Sequence, residues 1–271
     1  MMDLQFKRSV RRWFRRVKER VYPPTFVLGR VACLGQEVFA RMAAPIRPRH
    51  HALLNMQKVR CDVILEWAEA GRRRRAIRTR AARAVKHLAH KDVTWLIEQQ
   101  ERMIWFERRA PVKCAVMDSF AELTDQRFRH RREGWAFACH YTDVEHSREF
   151  EEEFACEGLL AEEEIAGTYA RFFEWFGGRF PGVPVYFIEF SAALDARPMF
   201  QRRGAVIFEA LSELARRHAF LQVLALPGEQ IEKAPGDDFA YHFSHETVGR
   251  FAGLWQACVH SPGGGEGGRA C

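Results

Sequence analysis

From residue 111 onward, short apolar runs alternate with longer amphipathic ones, and this alternation constrains the fold more than any other feature. The runs 112-VKCAVM-117, 135-WAFACH-140, 184-PVYFIEF-190 and 220-FLQVLAL-226 are apolar without strict polar alternation. That is the pattern of strands covered on both faces. Between and after them, apolar residues recur at helical spacing. Helices are expected over 147–158, over 162–177 (Ile165, Tyr169, Phe172, Phe173, Phe176), over 199–217 (Val206, Ile207, Ala210, Leu211, Leu214) and over 246–260 (Val248, Phe251, Ala252, Trp255, Val259). Upstream, 25-TFVLGRVACLGQEVFARM-42 reads as a strand over 25–32, a turn at Cys33-Leu34-Gly35 and a helix from Gln36 to Met42. Short strands separated by amphipathic helices predict an α/β fold, a three-layer sandwich with a mostly parallel sheet of about five strands.

Between the first two of these strands lies a basic helical insertion at about 45–110. It opens on the loop 45-PIRPRHH-51. Three helices are expected to follow, over 52–70, 72–90 and 92–108, the middle one beneath a face of arginines that includes 72-RRRRAIRTR-80. At the N-terminus, 3-DLQFKRSVRRWFRRVKER-20 places Phe6, Val10, Trp13, Phe14 and Val17 on one helical face amid Lys and Arg, and Pro23-Pro24 ends it. The expected organisation is a basic amphipathic helix over 1–24, a single α/β domain over 25–260 and a disordered tail over 261–271, where 261-SPGGGEGGRAC-271 has no core-forming residues.

Charge is divided as unevenly as pattern. Residues 1–110 hold 26 Lys and Arg against 10 Asp and Glu, while the remainder holds 16 against 25. Either the two parts attract each other, or the basic part meets an anionic membrane surface, a phosphate-rich or acidic glycan, or, behind these, a nucleic acid. No apolar run reaches the roughly 18 residues of a membrane span. The Arg-rich start lacks an apolar leader core, and seven Cys without a CxxC pair suit free thiols. A cytoplasmic setting is expected, with room for peripheral contact at the inner face of the membrane.

In parallel sheets, ligands gather where the carboxyl ends of strands open into loops. Those ends carry Cys33, Asp118-Ser119, 139-CHYTDVEH-146 and the loop 236-GDDFAYHFSHETVGRFAGLW-255 with Asp237, Asp238, His242 and His245. A serine or thiol nucleophile needs a base within reach and a carboxylate to orient that base. Ser119, His242 and Asp238 or Asp237 supply one such set, with Asp118, His140, Asp143 and His245 as candidates for binding substrate.

Asp118-Ser119 closing an early strand, together with an Asp/His loop before the last helix, resembles the SGNH (GDSL-type) esterases and acyltransferases. The resemblance implies Ser119 as nucleophile, His242 as base and Asp238 or Asp237 as its orienting acid. Met117 stands where that family has Gly, and Asp238 precedes His242 by four residues rather than three. The family's Gly and Gly-x-Asn oxyanion blocks have no counterpart. A second stretch, 31-VACLGQEVF-39, resembles the strand–turn–helix elbow of capsule-biosynthesis acetyltransferase-like proteins, which would make Cys33 the nucleophile. A helix N-terminus favours a thiolate.

Structural explanations stand beside these. Ser119 with Glu122 forms a capping box for the helix from Phe120, Cys33 fills core, and the arginine run is a solvated face. A metal site would draw on His140, His146, His242 and His245, but none of these pairs has HExxH spacing, so none is assigned. The expectation is an acyl esterase or O-acyltransferase on a glycan-like hydroxylated substrate. It requires no cofactor and admits acyl-CoA as cosubstrate. The rival is a non-catalytic basic binding module.

Overall fold

The computed structural model describes residues 26–46, 52–55, 59–69, 79, 93, 96, 100 and 112–260. The expected N-terminal helix, tail and most of the insertion lie outside them. The main sheet contains β1 (Phe26–Arg30), β2 (Ala52–Asn55), β3 (Val112–Asp118), β7 (Val185–Ile188) and β8 (Leu221–Leu224). Their order is β2-β1-β3-β7-β8 and every pairing is parallel. All five residues of β1 and all four of β7 are buried. That explains why these segments read as continuous apolar runs.

Membership of this sheet differs from the sequence reading in two respects. The run 135–140 is not part of it. It forms β5 (Ala136–His140), which pairs antiparallel with β4 (Asp125–His130), itself paired antiparallel with β6 (Phe154–Gly158). In the parallel sheet one of the two edge strands is β2, inside a segment predicted to be helix from 52 to 70; helix α2 there spans only Cys61–Glu69. Likewise 147–158 divides into α4 (Arg148–Glu153) and β6. Short apolar runs carry no periodicity long enough to separate helix from strand, so pairing partners decided these cases.

Helices flank the sheet on both sides. On one side lie α1 (Cys33–Ile46) and α7 (His245–His260), where Trp255 packs on Tyr186 of β7 at 5.4 Å and on Phe39 at 6.2 Å. On the other lie α2, α5 (Glu162–Arg179) and α6 (Pro198–Arg217), where Phe187 of β7 meets Tyr169 and Phe173 of α5 at 5.8 and 6.1 Å. Neighbouring Tyr186 and Phe187 thus serve opposite faces, as strand geometry requires. Three Glu in the first turn of α5 and Arg179 in its last complement the helix dipole, and Pro198 opens α6 where no N–H partner is needed. Five apolar or aromatic side chains of α5 (Ile165, Tyr169, Phe172, Phe173, Phe176) are wholly buried, each worth about 1.5–3 kcal/mol.

The antiparallel sheet hangs from β3 through α3 (Phe120–Thr124), which runs directly into β4. It packs an aromatic cluster of Phe128, Trp135, Phe137, Phe150 and Phe154. Trp67 of α2 joins it by donating to the Ala136 carbonyl at 2.8 Å. Among the described residues, no helix is long and apolar enough to cross a membrane.

Candidate functional site

The strand order reverses between β1 and β3, so the loops leaving these two strands diverge to opposite sides of the sheet and open a crevice. Beneath it sits a charged group with no water contact. The Arg30 guanidinium, at the end of β1, donates to Glu122 of α3 at 2.9 and 3.1 Å, to the Val59 carbonyl at 2.7 Å and to the Asp118 carbonyl at 2.8 Å. Glu122 also accepts from the Cys61 amide at 2.8 Å and the Tyr169 hydroxyl at 3.1 Å. Glu122 is therefore a buried hub that ties α2, α3, α5 and β1 together. It is not the partner in a capping box with Ser119.

Asp118 ends β3 and bridges across to α1. One carboxylate oxygen accepts from the Ala32 amide at 2.6 Å and the other from the Phe120 amide at 3.2 Å. Burial pushes its carboxyl up to about 7 against the opposing pull of those amides and of Arg30. With 1% of its surface exposed, Asp118 holds the β1–α1 turn rather than meeting substrate. The turn it holds presents Cys33. Cys33-Leu34-Gly35, expected as a turn, is the first turn of α1, a helix of 14 residues, and Cys33 is half-buried there.

Ser119 is 1% exposed, and its hydroxyl accepts from the Phe190 amide at 2.8 Å. It occupies the N-cap position of α3 without making a side-chain cap bond. No hydrogen bond joins Ser119 to His242. The two belong to one neighbourhood nonetheless. Phe120 and Phe190 both pack on Tyr241, at 5.6 and 5.8 Å, and the Tyr241 hydroxyl donates to Asp195 at 2.6 Å. That anchor seats the loop bearing His242 over the ends of β3 and β7.

His242 is paired at 2.6 Å through Nδ1, but with Asp237 rather than Asp238. The spacing is five residues because the tight turn at Gly236 and the Asp237–Phe239 bend fold the loop back on itself. The amide of Phe239 and His242 together hold the exposed Asp237 carboxyl below the usual range. The pair is half-exposed, ready to meet a ligand from solvent.

The other candidates lie apart. His140 ends β5, so it belongs to the antiparallel sheet and not to the crevice, and its Nδ1 accepts from the Thr142 amide to cap a short turn that includes Asp143. His146 stacks on Tyr141 at 3.9 Å. His245 opens α7 and faces Arg41 of α1 at 2.7 Å. Among the described residues, no group of three or more His, Cys, Asp or Glu is placed to hold a metal ion.

No family model, curated protein or solved structure matches this chain. Function must therefore be argued from the geometry alone.

A second opening lies at the strand end followed by the loop after 226, where the sequence reading assigned no candidate among the residues that line it. Beyond the ends of β7 and β8, between α6 and α7, lies a pocket of about 820 Å³ with mostly apolar walls. Among the described residues that line it the one carboxyl is Glu189, pushed up to about 7 by desolvation. The signal was present: a lone acid in the otherwise apolar run 184-PVYFIEF-190.

Proposed function

We propose that the protein moves or removes an acyl group, with Cys33 as nucleophile and His242, oriented by Asp237, as proton shuttle. In this reading the fold is a three-layer sandwich and the chemistry occupies the crevice between β1 and β3. The observation that carries it is the position of Cys33, half-buried in the first turn of a long helix at the point where the strand order reverses. A helix N-terminus favours a thiolate. Ser119, the other candidate nucleophile, is enclosed, and its hydroxyl is engaged by the Phe190 amide.

The thiolate of Cys33 attacks the acyl carbonyl carbon, and the leaving alkoxide of an ester, or the leaving thiolate of acyl-CoA, takes its proton from the His242 imidazolium. The resulting thioester is then opened by water or by an acceptor hydroxyl, whose proton returns to His242. A hydroxylated, glycan-like acceptor and an acyl ester or acyl-CoA donor fit this sequence of steps.

The test is intact-mass analysis after incubation with p-nitrophenyl acetate and acetyl-CoA, followed by peptide mapping. An acetyl group on Cys33 is expected, absent from Cys33→Ala and slowed in His242→Ala. The exposed thiol of Cys156 serves as an unactivated reference. An adduct on Ser119 instead restores the serine mechanism. Labelling of Cys33 no faster than Cys156 favours the second reading, a non-catalytic module binding anionic surfaces, which the missing Ser119–His242 bond also suits.

A further inference from the structure

The pocket beyond β7 and β8 combines two features that rarely share a space. Its described walls come from four elements: the β7–α6 loop, α6, the loop after β8, and α7. Small residues make the room. Gly204 on α6 lets Ala192 approach so closely that an added Cβ would stand 3.0 Å from the Ala192 methyl, and Gly228 lies similarly against Ala193. Leu226 and Leu254 supply apolar surface, and Phe208, 38% exposed, stands at the rim.

Into this space projects Glu189. Its main chain is held to the sheet, the amide donating to the Leu224 carbonyl at 2.9 Å. It is the only titratable side chain among the described lining residues of all four elements. Glu189 is half-buried, and desolvation by the apolar walls raises its proton affinity with no cation or hydrogen bond opposing the effect. A carboxyl left in that condition is costly to ionise, and a partner that brings positive charge with it removes the cost.

We infer that the pocket binds a small organic amine, with its ammonium on Glu189 and its hydrocarbon body among Ala192, Ala205, Leu226 and Leu254 beside Phe208. The inference does not rest on the acyl chemistry of Cys33. A neutral alcohol of equal size would gain the apolar contacts without the charge, and a carboxylate would be repelled.

Isothermal titration of the full chain with hexylamine and 2-phenylethylamine, against hexan-1-ol and hexanoate, tests it. The amines are expected to bind at least about tenfold tighter than the alcohol, as suits a hydrogen bond between charged groups. Hexanoate is expected to be weakest. Just below neutrality, amine binding should release a proton from Glu189, seen as a heat that varies with the ionisation enthalpy of the buffer. Glu189→Gln should abolish both the preference and the proton release. Ala205→Trp, at an exposed position on α6, should block every ligand by filling the space while leaving Glu189 in place, and Cys33→Ala, which removes the proposed nucleophile, should leave amine binding as it is. Equal binding of alcohol or hexanoate, amine affinity unchanged in Glu189→Gln, or no saturable amine binding would each overturn the inference.

Discussion

Arg30 and Glu122 form an ion pair at 2.9 Å in which neither side chain has any solvent-exposed surface. It lies directly under the crevice, and the Val59 and Asp118 carbonyls, the Cys61 amide and the Tyr169 hydroxyl each bond to one of the two. Burial raises the Tyr169 and Cys61 protons well above their ordinary values, so both groups stay neutral beside the pair. Removing one partner strands the other charge in the core. Glu122→Gln and Arg30→Met are each expected to lower stability by about 3–5 kcal/mol, read from urea midpoints. A double apolar replacement should cost less than the sum of the two. Strict additivity would show that the pair is not coupled.

The Ser119 hydroxyl is the acceptor for the Phe190 amide. Ser119→Ala leaves that buried N–H without a partner and should cost about 1–3 kcal/mol. Under the thiol mechanism, acetylation of Cys33 survives the substitution. Loss of acetylation in a variant that remains folded by circular dichroism would return the chemistry to the serine.

Gly35 stands in the first turn of α1, where an added Cβ would lie 2.4 Å from the Val31 Cγ1 and 2.5 Å from the Val31 Cβ. Val31 is wholly buried and β-branched, so it cannot yield. Gly35→Ala is therefore expected to displace the turn that presents Cys33. The variant should lose 1–3 kcal/mol or so, as overpacked sites do, and label more slowly at Cys33. Wild-type stability together with wild-type labelling would mean that this contact is not limiting.

Glu189 makes stability depend on pH with a definite sign. Its folded carboxyl holds a proton up to about 7, whereas in the unfolded chain it would lose that proton near the ordinary carboxyl range. Between those two values the native state binds more protons, so this group's contribution to stability falls as pH rises and levels off above about 7. Asp118, raised to about 7 for the same reason, acts in the same direction. Glu189→Gln should therefore gain on the wild type between about pH 5 and pH 8, as seen in paired denaturation curves. Parallel profiles would place the Glu189 carboxyl in water.

Much of the sheet was legible because its strands bury both faces. The runs that became β1, β3, β7 and β8, and the periodic stripes that became α5, α6 and α7, carry their signal in consecutive residues. The segments over 52–55, 125–130 and 154–158 do not. Each is four to six residues long, and only β1, or the partners β4 and β5, make them strands. Of the candidate site, Cys33 and His242 were legible as reactive residues at loop and strand ends. That Asp237 rather than Asp238 meets His242 depends on a turn of left-handed backbone at Gly236, φ 73°.

The sequence by itself determined the alternating α/β class, the helix faces and the list of ionisable residues, because patterning and propensity act over neighbouring positions. Only the tertiary structure decided which strands share a sheet, where their order reverses, and which acids face water. Asp118, Glu122 and Glu189 are the same kind of group in the sequence. Packing makes the first a clamp on the backbone, the second half of a buried ion pair, and the third a half-buried carboxyl among the apolar walls of a pocket. The physical reason is that the state of a carboxyl is set by desolvation and by partners that arrive from distant parts of the chain.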